Sequence, residues 1–111
     1  MPAAAKSYYD TLSIPRTAGT DEIKKAFRKL SLKWHPERAV GPKADAEVVF
    51  ANIAEAYDVL SNPARRAIYD QYGERGLKDG VPDGNGGLKG GKYRFGNNSV
   101  EIFSAFFGTS R

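Results

Sequence analysis

The 111-residue sequence has no cysteine, one histidine and one tryptophan. Without cysteine, disulfides and thiol chemistry are excluded; the absence is compatible with a reducing compartment without demonstrating one. One histidine and no cysteine leave no ligand set for structural zinc, so no metal is expected. No apolar run approaches the ~20 residues of a membrane span, and residues 1–6 are alanine-rich without the apolar centre of a secretory signal. No nucleophile–base pair, carboxylate dyad or phosphate loop is visible. Gly84-Asn85-Gly86-Gly87 lacks the Lys-Ser/Thr that follows in a P-loop. The expectation is a protein that is not itself an enzyme and carries no cofactor. What is present is uneven. Ten of the twelve glycines lie between Gly73 and Gly108, which confines the expected globular part to roughly the first 72 residues, a core small enough to need dense helix packing. Seventeen Lys+Arg against 13 Asp+Glu give a net charge of +4, which attracts an acidic protein, nucleic acid or lipid without choosing among them.

Ser7 followed by Asp10 predicts a capped short helix, with Tyr8 or Tyr9 sharing the face of Leu12. Pro15 disfavours helix at Ile14 and closes it. The spacing of Ile23, Phe27, Leu30 and Trp34 predicts a second helix over about 21–34, capped by Gly19 or Thr20, with Asp21 and Glu22 in the first turn and Pro36 ending it. Between the apolar positions lie Lys24, Lys25, Arg28, Lys29 and Lys33, with no acid among them. After a loop over 35–42, Phe50, Ile53, Ala54, Tyr57 and Leu60 form the apolar face of a third, net acidic helix over about 43–60. Two such helices joined by a short loop pack most simply as an antiparallel hairpin. Asn62-Pro63 opens a fourth, short helix with Ala64, Ile68 and Tyr72 on one face, ending by Gly73; Tyr69 and Tyr72 are taken as packing residues. Beyond it the composition is too glycine-rich for a packed core. Near the end, Asn98 or Ser99 caps a further short helix over 99–107, whose Val100, Ile102, Phe103, Phe106 and Phe107 need a surface to bury against. The fold class is all-α.

The order of these features resembles the J-domain of DnaJ-type co-chaperones. It is carried by Tyr8-Tyr9 with Leu12, by residues 22–30, by Lys33-Trp34-His35-Pro36, by residues 53–61 and by residues 65–73. The resemblance implies a J-domain over 7–73 after an N-terminal tail (1–6): a hairpin of the second and third helices braced by the first and fourth. The remainder, 74–111, looks like the Gly/Phe-rich region of the class B group. The family implies a partner of the DnaK (heat-shock-seventy) class, whose ATPase is stimulated when the basic second helix docks on it and a His-Pro-Asp loop triggers hydrolysis. The matching positions are Lys24, Lys25, Phe27, Arg28, Lys29 and Lys33 on the helix and His35, Pro36, Glu37 and Arg38 in the loop. Glu37 departs from the family's Asp, which predicts weakened stimulation. Phe27 has two readings, core stripe or partner contact. The basic face has a plainer reading as a solvated surface. Nucleic acid is not expected, because no base-stacking pattern accompanies the face.

The segment from Val100 to Phe107 has two readings: a disordered stub, or, as the resemblance to some class B relatives implies, a short autoinhibitory helix folded back over the second and third helices. The resemblance also implies an unfolded or assembling client, homodimerisation through regions beyond this chain, and a cytoplasmic location, cytosol or nucleus. A structural alternative stands beside it. Residues 53–61 and 68–82, with the altered tripeptide, look like class B members found in ciliary radial spokes, which implies an assembly subunit of the axoneme.

Overall fold

The computed structural model describes residues 7–91, 93, 95, 96 and 99–108. The expected N-terminal tail (1–6) and the Asn98 cap lie outside the described residues. Along the chain run α1 (Tyr8–Leu12), α2 (Thr20–Trp34), α3 (Lys43–Leu60), α4 (Pro63–Asp79), β1 (Val81–Pro82), β2 (Leu88–Lys89) and α5 (Ser99–Gly108). They form two compact units, one built from α1, α2, α3 and α5, the other from α4 and the β1–β2 hairpin. The all-α expectation holds, with this short hairpin the only strand pairing among the described residues. No helix among them is long and apolar enough to cross a membrane.

In the first unit, α1 is set by its cap. Ser7 Oγ accepts from Asp10 N at 3.0 Å and Asp10 Oδ2 accepts from Ser7 N at 3.3 Å, so two otherwise orphaned donors are satisfied reciprocally. Ser13 ends the helix in the left-handed region, at φ 56°. Tyr8, Tyr9 and Leu12 are all buried, and the Tyr8 hydroxyl donates to Glu55 Oε2 on α3 at 2.6 Å. The first helix is thus held to the third by ring burial and by a charge-assisted hydrogen bond.

Helix α2 starts after Gly19, without a side-chain cap, and stops at Trp34 ahead of Pro36. Its buried residues are Ile23, Phe27 and Ser31, while Leu30 and Trp34 are half-buried. This corrects the expected stripe: the innermost row runs at i, i+4 and i+8, and a serine occupies its third place. The cost of burying that hydroxyl is offset locally, since Ser31 Oγ donates to Arg28 O at 3.3 Å. On α3, Ala46, Phe50, Ile53, Ala54, Ala56, Val59 and Leu60 are buried. Phe27, midway along α2, stacks on Tyr57, late on α3, with ring centroids 4.3 Å apart; His35, just past α2, sits edge-on to Phe50, earlier on α3, at 5.2 Å. The reversed order of these pairs makes the hairpin antiparallel, as expected. Each fully buried Phe, Ile or Leu here contributes about 1.5–3 kcal/mol relative to exposure.

The second unit departs further from expectation. Asn62 Oδ1 accepts from Arg65 N at 3.0 Å with Pro63 in the first turn, as the Asn-Pro pair predicts. The helix breaks at Gly73 (φ 72°, ψ −167°) but resumes to Asp79. A backbone at that φ suits glycine and few other residues. The restart has two supports absent from composition alone. Lys78 pairs with Glu74 at 2.7 Å and Arg75 with Asp79 at 3.8 Å, both at i,i+4 spacing; Leu77 is 3 % exposed. The buried face of α4 also differs: Tyr69 is buried, whereas Ala64 is exposed and Tyr72 is 40 % exposed. Strand β1 pairs antiparallel with β2, Val81 opposite Lys89 and Pro82 opposite Leu88. Tyr93 N then donates to Leu77 O at 3.1 Å, and Arg65 lies 5.1 Å over the Tyr93 ring.

Candidate functional site

Helix α2 presents two chemically different faces. Outward lie Lys24, Lys25, Arg28, Lys29 and Lys33, all exposed. Among the described residues no carboxylate stands within ion-pair distance of any of them. Lys24 with Arg28, Lys25 with Lys29, and Lys29 with Lys33 are like-charge pairs at i,i+4, each unfavourable by about 0.2–0.5 kcal/mol in an isolated helix. The helix therefore carries uncompensated repulsion that an anionic surface would relieve. Lys25, Arg28, Lys29 and Leu32 line a shallow, open depression of about 300 Å³. Lys33 Nζ lies 5.8 Å over the Trp34 ring, a cation–π arrangement that keeps its charge beside the end of α2.

The inward face leads to the loop. Proline at 36 holds His35 in an extended conformation, φ −57° and ψ 131°. The His35 carbonyl accepts from both Arg38 N (2.8 Å) and Ala39 N (2.9 Å), and its Nδ1 accepts from Glu37 N at 3.2 Å. One residue thus organises the tight turn through its backbone and its ring. His35 and Pro36 are half-buried, whereas the Glu37 and Arg38 side chains point to solvent. The sequence-predicted loop residues fall into an anchored pair and an exposed charged pair.

Helix α5 lies over the inner end of this arrangement. Phe103 approaches His35 at 4.9 Å and Phe50 at 5.7 Å between ring centroids. Phe106 meets Phe27 edge-on at 5.0 Å and Tyr57 at 5.6 Å. Phe107 rests against Phe103 and Phe106, at 4.5 and 4.9 Å. Phe27 is 0 % exposed under this cover; of its two sequence readings, the core position is the one seen. Ile102, Phe103, Phe106 and Phe107 are half-buried, whereas Val100 is 61 % exposed. No α5 residue is fully buried. The helix is held by edge and tilted ring contacts, each contributing about 0.5–1.5 kcal/mol beyond area burial. Its tether is glycine-rich.

Two residues that sequence reasoning did not assign to the site belong to it: Phe50 and Tyr57, the part of α3 on which α5 rests. Their signal was present in the α3 pattern, since they lie seven residues apart on one face. Burial raises the Tyr57 phenol above its ordinary pKa.

Residues 7–70 match the DnaJ domain family. Over 107 residues the chain is 50% identical to DnaJ homolog subfamily B member 5 of Mus musculus, covering 95% of this chain and 30% of the relative. It is 44% identical over 102 residues to DnaJ homolog subfamily B member 3 of Homo sapiens, covering 91% of this chain and 70% of that one. With Chaperone protein DnaJ of Pediococcus pentosaceus it shares 46% identity, over 96% of this chain and 28% of the relative. Among solved structures, the J-Trx1 fragment of ERdj5 matches with a TM-score of 0.61 at 33% identity, over 86% of this chain and 42% of that chain. The chain spans about a third of the length of two of these curated relatives, those of Mus musculus and Pediococcus pentosaceus.

Proposed function

The chain belongs to the DnaJ domain family, and from that premise we propose that it docks on the ATPase domain of a DnaK (heat-shock-seventy) class chaperone through Lys24, Lys25, Arg28, Lys29 and Lys33 of α2 and the His35-Pro36-Glu37-Arg38 loop. The observation that carries this reading is a row of exposed cations, without ion-pair partners among the described residues, running directly into a loop whose turn is built on His35. Complementary charge steers such an encounter and fixes its register. Relatives named as DnaJ homologues and as a DnaJ chaperone protein support the co-chaperone class.

Glu37 sets the strength of the response. Its backbone is anchored to the His35 ring while its carboxylate projects into solvent one methylene further than an aspartate would reach. A misplacement of about 1 Å at a closed catalytic contact can cost on the order of a hundredfold. On this reading docking survives while triggering is weak or absent. Single-turnover ATP hydrolysis by a DnaK-class chaperone tests this: Glu37→Asp is expected to raise stimulation above that of the wild-type chain. Full stimulation by the wild type, with no gain in the variant, overturns it.

Helix α5 regulates the same site. It covers Phe27 and contacts His35, and it leaves the cations open. Deleting residues 98–111 is expected to increase affinity for the chaperone and to shift the amide signals of Phe27 and His35. Unchanged affinity and unchanged spectra would remove this role.

A further inference from the structure

Three dipeptides in the glycine-rich stretch place a side-chain carbonyl beside a glycine: Asp79-Gly80, Asp83-Gly84 and Asn85-Gly86. In such a pair the glycine backbone nitrogen can attack the neighbouring side-chain carbon. Glycine permits it because no Cβ hinders the approach and its backbone reaches conformations other residues avoid.

The structure separates the three. Gly80 N already donates to Gly76 O at 3.2 Å, and the Asp79 carboxylate faces Arg75 at 3.8 Å, so both reactants of that pair are engaged. Asp83 Oδ1 accepts from Asn85 N at 2.7 Å and from Gly87 N at 3.1 Å. An ionised carboxylate is in any case a poor electrophile. Asn85 differs on each count. Its side chain is an exposed neutral amide. The amides of Asn85 and Gly87, on either side of Gly86, are both spent on Asp83, yet Gly86 N–H meets no acceptor among the described residues. Gly86 sits at φ +84°, with open space where a Cβ would stand.

We propose that Asn85 is a site of spontaneous deamidation, primed by the Asp83 turn, with water as the only co-reactant. Gly86 N forms a bond to Asn85 Cγ, the Cγ–Nδ2 bond breaks, and ammonia leaves with the proton from Gly86 N. The cyclic succinimide then adds water at one of its two carbonyls. Opening at the side-chain carbonyl gives aspartate at 85; opening at the backbone carbonyl gives isoaspartate. Either product places a new carboxylate next to Asp83. Isoaspartate also routes the main chain through an extra methylene, inside the loop that sets Pro82 opposite Leu88, so the short β pairing is expected to loosen.

The test is incubation of the full chain in mildly alkaline buffer at physiological temperature, followed by peptide mass mapping and isoaspartyl methyltransferase labelling. Expected are release of ammonia, aspartyl and isoaspartyl products at position 85, none at Asp79 or Asp83 over the same interval, and complete loss of the signal in Asn85→Gln. The proposal is overturned if label persists undiminished in Asn85→Gln. It is equally overturned if Asn85 stays intact in the folded chain under conditions where the denatured chain converts.

Discussion

The two faces of α2 obey different physics although they share one helix. Outward, five cations stand open to solvent with no ion-pair partner among the described residues. Inward, Phe27 is sealed between Tyr57 and Phe106, and His35 lies beneath Phe103. The outward face acts over a Debye length of about 8 Å at physiological salt and needs no rearrangement. The inward seam acts only at ring contact, and a partner reaches it only where α5 has moved away. In the proposed docking, encounter and engagement are therefore separate events. On that proposal, charge would bring the partner in, and the position of α5 would decide whether the partner meets the His35 loop unobstructed.

The sharpest way to break this comparison is to exchange the consequences of mutating each face. Phe27→Ala leaves a cavity between Tyr57 and Phe106 and is expected to destabilise the chain by about 3–5 kcal/mol in urea unfolding. Lys25→Ala with Arg28→Ala and Lys29→Ala touches no packed contact, so each change is expected to alter stability by no more than about 0.5 kcal/mol. On the proposed docking the triple variant is expected to lose chaperone affinity and to bind with a shallower salt dependence, carried by Lys24, Lys33 and Arg38. If it unfolded as readily as Phe27→Ala, or kept the full salt dependence of the wild type, the division of labour between the faces would fail.

The fold was legible where local chemistry decides the outcome. Ser7 with Asp10 capped α1, Pro36 ended α2, and Asn62-Pro63 opened α4, because each acts within one turn of chain. It was less legible where tertiary neighbours choose among nearly equivalent faces. A period of 3.6 residues is satisfied almost as well by Leu30 as by Ser31, and by Tyr72 as by Tyr69. The neighbours that choose between them do not appear in a single segment. The restart of α4 beyond Gly73 was missed for a related reason: helix propensity falls with Gly73 and Gly76, but two i,i+4 ion pairs and the burial of Leu77 outweigh it. At the candidate site the charge run was plain in sequence. The status of Phe27 was not, since periodicity put it in the core and family resemblance put it at the surface. Both follow if α5 opens and closes, and no pattern within α2 encodes that equilibrium.

The subtlest expected effect reads the same equilibrium from the α3 side. Tyr57 titrates above the usual tyrosine value of about 10 because burial disfavours its phenolate. Part of that cover is the ring of Phe106, 5.6 Å away. A phenol raised in the folded state holds its proton where the unfolded chain has lost it. Its contribution to stability is thus complete below about pH 10 and disappears as pH rises through the folded value. Phe106→Ala is expected to move Tyr57 back toward the ordinary value and to shrink this alkaline loss. The measurement is tyrosinate absorbance against pH, with Tyr57→Phe as the reference that isolates one ring, made with and without the Phe106 change. The shift is small, but it separates two descriptions of α5. If Tyr57 titrates identically in both backgrounds, its burial comes from α2 and α3 alone and α5 spends its time elsewhere. A downward shift places α5 on the seam in solution, as the proposed control of access to Phe27 and His35 requires.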